Sequence, residues 1–174
     1  MRYGLAGFVF AFAVLTPWSE ALADDDGGDT AAMAANRGFK LGLAPTLLLP
    51  MRSGGPLGGG LGIEGRYGIR AGPTVLAPGG LLAGYGISGR FIGLAMPTFR
   101  ATLPVGPLAP FGAFGAGFGG LSNPGESGLA LLAGGGLMLH FGRVFAIGAE
   151  VTYQTIIGTE FHSVAIGPAI AFGG

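Results

Sequence analysis

Residues 57–70 read LGGGLGIEGRYGIR, and their parity decides the fold. Leu57, Leu61, Ile63, Tyr67 and Ile69 fall on odd positions, whereas Glu64, Arg66 and Arg70 fall on even ones. Glycine fills the remaining places on both sides. A period of two puts alternate residues on opposite faces of a β-strand. A helix would spread the three charges around its circumference. The stretch also exceeds the roughly five or six residues of an ordinary strand. It is long enough to cross a bilayer at a tilt, which takes about 9–11 residues.

The rest of the chain repeats the design. The first strand is expected at 39–49, with Phe39, Leu41, Leu43, Pro45, Leu47 and Leu49 on one face and Lys40, Gly42, Ala44 and Thr46 on the other. After 57–70 come expected strands at 81–88, 91–103, 108–121, 129–141, 144–157 and 161–172. Residues 71–80, which contain Pro73 and Pro78, read as a turn, and Gly142-Arg143 reads as a two-residue turn. The sum is an all-β, up-and-down antiparallel transmembrane barrel of about eight strands, an even number that closes with both termini at one end.

Composition agrees. Charged residues make up 10% of 174 and mean hydropathy is +0.60, against about 25% charged in ordinary soluble domains. The uncharged run at 101–125 carries four prolines, each of which costs about 3 kcal/mol inside a helix. A closed barrel is the other way to satisfy the backbone in lipid. With no cysteine, the chain has neither a disulfide framework nor a lipid-anchored Cys.

Residues 1–23 have the form of a secretory signal peptide. Arg2 supplies the positive start, 5–15 the apolar core, and Ala21-Leu22-Ala23 a small-x-small cleavage site. Residues 24–37, with Asp24, Asp25, Asp26 and Asp29, read as an acidic flexible tail. The barrel domain is then 38–174. It is mildly basic without a basic run, so nucleic acid is not indicated.

These residues resemble the small eight-stranded outer-membrane β-barrel family of Gram-negative bacteria. The resemblance rests on the signal, the eight dyad-repeat strands and the aromatic Phe172 near the end of the last one. One departure is that Gly173 and Gly174 follow Phe172. The resemblance implies export to the cell outer membrane, contact with its lipids, and insertion by the barrel assembly machinery.

Chemistry is sparse. A charge facing lipid at the midplane costs about 2–4 kcal/mol, so Glu64, Arg66, Arg100 and Glu150 are expected in the lumen as a network of paired charges. An eight-stranded lumen is just wide enough for side chains, which favours a plug over a polar channel. The expected function is a structural or interaction role in the envelope. The alternatives are a narrow pore, a carrier of a lipid-like ligand, and a lipid-modifying outer-membrane enzyme. For catalysis the candidates are His162 with Ser163, and His140 with Glu150. Adjacent residues in a strand face opposite sides, and a catalytic pair must converge. No enzyme, cofactor or metal site is therefore assigned.

Overall fold

The computed structural model describes residues 31–51 and 54–173. A short helix, α1 (Ala31–Asn36), precedes eight strands: β1 (Gly38–Pro50), β2 (Gly58–Ala71), β3 (Thr74–Ile87), β4 (Arg90–Thr102), β5 (Leu108–Leu121), β6 (Ser127–Phe141), β7 (Phe145–Ile156) and β8 (His162–Phe172). Each strand pairs antiparallel with the next, and β1 pairs with β8 to close the barrel.

The alternation that predicted strands also sets their faces. Along β2, Glu64 and Arg66 are buried in the lumen while Leu61, Ile63, Tyr67 and Ile69 are exposed. The outward faces of the other strands present Phe39, Leu82, Phe91, Phe114, Phe118, Leu129, Phe141 and Ile166. Several of these keep more than half their surface open; Leu82 is 65% exposed and Phe118 is 61% exposed. An apolar belt of this extent needs a non-aqueous cover. Phe145 stacks with Phe141 and Phe172 on this surface, near the end of the barrel where β1 starts and β8 ends.

Three expectations need correction. The stretch 71–80 is not a turn, because β3 already starts at Thr74 and only Gly72-Pro73 connects it to β2. Gly72 takes φ 63°, a conformation open to glycine at little cost. Pro78 does not stop the strand. It faces outward, its missing N–H lies on the β2 side, and the β2–β3 ladder skips that place and resumes at Ile69↔Leu76. The turn after β6 holds three residues, 142–144, since Phe141 pairs directly with Phe145. Finally, residues 31–36 of the expected tail form α1, in which Ala32, Met33, Ala35 and Asn36 are buried at one end of the barrel. The expected signal peptide and the Asp24–Asp29 cluster lie outside the described residues.

Candidate functional site

Strand parity turns Glu64 and Arg66 of β2 and Thr98 and Arg100 of β4 into the lumen. Strand β3 lies between β2 and β4, and its inward residue at this height is Gly79, which pairs with both Arg66 and Thr98. A Cβ at Gly79 would sit 2.8 Å from the Arg66 Cβ. The absence of a side chain there lets β2 and β4 meet across β3. Gly42 on β1 makes similar room, since a Cβ would lie 3.3 Å from Arg66 Nη1.

The result is a charge cluster centred on Glu64. Its Oε2 accepts from Arg66 Nη1 at 2.8 Å and from Arg100 Nη2 at 2.8 Å. Its Oε1 accepts from Thr98 Oγ1 at 3.1 Å. Arg100 reaches across the lumen towards Glu150 of β7, at 3.7 Å, and lies over the Phe111 ring of β5, 3.9 Å from its centroid. Two carboxylates and two guanidiniums balance in charge. Pairing of this kind is what lets buried charges be tolerated, although Arg100 Nε is buried without a hydrogen-bond partner. A cavity of about 40 Å³ opens beside the cluster. A water needs roughly 10–15 Å³ on this scale, and the charged and threonine side chains in the otherwise apolar lining offer it partners.

The lumen is layered around this cluster. On one side α1 sits in the rim. Asn36 Nδ2 donates to Ala32 O at 2.8 Å and to His140 Nε2 at 3.0 Å. On the other side the lumen turns apolar, with Leu48, Tyr85, Ile92, Leu94, Ile156 and Phe161 packed together and almost fully buried. That layer departs from the polar interior usual in outer-membrane barrels. Above it, between the loops, lies a mouth cavity of about 830 Å³. Its wall is mainly apolar, from Met51, Ile87, Ile92, Leu121 and Phe161, with Arg90, Glu160 and Ser163 among its polar members.

The four residues expected in a lumen network, Glu64, Arg66, Arg100 and Glu150, therefore lie in one cluster. The catalytic candidates do not converge. Ser163 is buried inward, whereas His162 is exposed on the outer face, where it hydrogen-bonds Thr155 Oγ1 at 2.8 Å and Tyr153 Oη at 3.2 Å. His140 pairs with Ala146, and Glu150 with Gly136, four residues further along β6; at the rise of a strand that is roughly 13 Å. Sequence reasoning left Thr98 and Phe111 out of the cluster. Thr98 shares parity with Arg100, so the signal was present. Phe111 was not readable, because Phe111, Phe114 and Phe118 do not share a parity. Among the described residues no group of three or more His, Cys, Asp or Glu is placed to hold a metal.

No protein-family model matches the sequence, and neither does any curated protein sequence. Solved structures do match. Ail, the attachment invasion locus protein of Yersinia pestis, superposes with TM-score 0.52 at 18% identity, covering 78% of this chain and 99% of Ail. The outer membrane enzyme PagL gives TM-score 0.56 at 12% identity, covering 78% of this chain and 99% of PagL. The N-terminal β-barrel domain of Pseudomonas aeruginosa OprF gives TM-score 0.52 at 14% identity, covering 76% of this chain and 96% of that domain. The shared feature is the fold: this chain is similar to small outer-membrane β-barrels, and its architecture is the closed eight-stranded form.

Proposed function

We propose that the chain is an integral outer-membrane barrel with a structural or interaction role in the cell envelope, its lumen closed by its own side chains. The observation that carries this reading is the stack across the lumen: α1, then the Glu64 cluster, then the Leu48–Phe161 apolar layer, with only about 40 Å³ open beside the cluster. An ion crossing this stack would have to displace paired guanidiniums and then leave its hydration shell among mainly apolar side chains, which is costly. Insertion by the barrel assembly machinery and contact with outer-membrane lipids belong to the same proposal. PagL is an outer membrane enzyme, but the divergence of His162 and Ser163 gives no support for carrying catalysis over to this chain. The test is conductance of the refolded protein in planar bilayers. The expected record is silent, and stepwise ohmic currents would overturn the plug.

A second reading, a carrier of a lipid-like ligand, is favoured by the mouth cavity, whose volume lies within the roughly 300–1,000 Å³ typical of ligand pockets. The one tryptophan of the sequence is Trp18, inside the expected signal peptide. Met51→Trp therefore places a single reporter on the cavity wall of the processed chain. Quenching by a brominated fatty alcohol should saturate at residue 51, while Phe118→Trp on the outward face should follow simple partitioning. Unsaturable quenching at both positions would remove this reading.

A further inference from the structure

Prolines inside strands delete ladder bonds, and here they do so unevenly. The β2–β3 ladder skips two pairs at Pro78, and the β4–β5 ladder skips two at Pro97. In each case the proline faces a residue that keeps its N–H. The seam between β1 and β8 is different. Its pairs stop at Leu43↔Ile170 and resume at Leu47↔Ile166, and that register sets Pro45 directly opposite Pro168. Both donors are missing at one place, so neither proline carbonyl can receive an N–H from its partner. On their far sides the same prolines sit in unbroken ladders, Pro45 against Leu61 and Pro168 against Ala149. The gap spans three residue pairs, about 10 Å along the strand at the usual rise.

The gap has fixed ends. Towards the termini, the Lys40 ammonium donates to the carbonyl of Gly173 and, at 3.2 Å, to that of Arg143. This ties β1 to the chain beyond β8 and to the neighbouring turn. Towards the loops, the ladder runs from Leu47↔Ile166 to Pro50↔Ser163, and Met51 N donates to His162 O at 3.0 Å. Directly behind the gap lies the lumen cavity. Gly42, Ala44, Ala169 and Ala171 form its near wall, and Glu64 and Arg100 line it too. The inward side chains of β1 and β8 at this cavity are small, while Leu43 and Ile170, which also line it, belong to the outward parity of their strands.

The geometry points to a lateral portal. The wall parts between β1 and β8 at Pro45 and Pro168, letting the end of a thin single-chain amphiphile dissolved in the bilayer reach the Glu64 cluster from the side. Parting there breaks no ladder bond at the centre of the gap, and this gap is longer, by one residue pair, than those at Pro78 and Pro97. The portal is independent of the closure along the barrel axis: a silent conductance record is compatible with either result below.

The test uses single cysteines in a chain that has none of its own. Ala169→Cys faces the lumen beside the gap; Ala109→Cys and Ala130→Cys face the lumen elsewhere and are fully buried. The protein in phosphatidylcholine vesicles is treated with a long-chain N-alkylmaleimide. Residue 169 should be modified at least tenfold faster than 109 or 130. The same cysteine in a Pro45→Val, Pro168→Val background, which restores both donors, should fall to the rate of the controls. Amide exchange supplies a second readout that needs no cysteine: β1 and β8 amides flanking the gap should exchange faster than those of the unbroken β3–β4 ladder. Equal alkylation at all three positions, no effect of the paired valines, or uniform amide protection around the barrel would each overturn the portal.

Discussion

Arg100 Nη2 donates to Glu64 Oε2 at 2.8 Å across a strand that belongs to neither residue. The same oxygen also accepts from Arg66 at 2.8 Å, and Glu150 stands 3.7 Å from Arg100. Glu64 is therefore the shared counter-ion of the lumen. Its loss and the loss of one of its partners are not equivalent.

Glu64→Ala should be the most damaging change in the cluster. It leaves Arg66 without its carboxylate partner and Arg100 with only the longer contact to Glu150. Breaking a buried pair by removing one partner typically costs about 3–5 kcal/mol. Arg66→Ala should cost less, because Glu64 keeps Arg100 and Thr98. Urea unfolding of the barrel in lipid vesicles, followed by loss of β-sheet dichroism, ranks the two. Equal midpoints for wild type and Glu64→Ala would mean that water reaches the cluster freely.

Gly79→Ala should loosen the same cluster through sterics alone. The added methyl would lie 2.8 Å from the Arg66 Cβ and 2.5 Å from the Gly65 carbonyl oxygen, and overpacking of this kind costs about 1–3 kcal/mol. Gly80→Ala, one residue on and facing outward, meets nothing nearer than 3.9 Å and should leave the unfolding midpoint unchanged. The adjacent pair separates a packing requirement from a general intolerance of alanine in this glycine-rich strand.

The inward set was legible because the strands obey a strict dyad and charges are few. Once 57–70 fixed the phase of β2, Glu64 and Arg66 had one place to go, and the same rule placed Arg100 and Glu150. That they share a single cluster depended on the stagger between strands, which a sequence read one strand at a time does not contain. Pro78 hid the first half of β3: a proline deletes one donor, and the sequence does not say whether that donor faces a neighbour or a gap. The residues of α1 were misread for a different reason. Ala32, Met33 and Ala35 bury little area each, and the helix holds its place through Asn36 on His140 and through Gly68, where a Cβ would collide with the Asn36 carbonyl. Those contacts join residues far apart in the chain.

Orientation follows from the rims. Helix α1, the start of β1 and the end of β8 share one rim with the connections at 72–73, 103–107 and 142–144; the other rim carries those at 51–57, 88–89, 122–126 and 157–161. Outer-membrane barrels put short turns on the periplasmic side and longer loops outside, and a chain delivered from the periplasm leaves its N-terminus there. Both arguments put the α1 rim inward. Glu126→Cys and Thr159→Cys should therefore react with a membrane-impermeant maleimide on intact cells. Pro73→Cys and Arg143→Cys should react only after the outer membrane is opened. These positions lie in connections or at a strand edge, and the chain supplies no competing thiol. Labelling of residues 73 and 143 on intact cells, with 126 and 159 silent, would invert the barrel. The mouth cavity would then face the periplasm and α1 the outside, and a ligand taken up at that mouth would have to come from within the cell envelope.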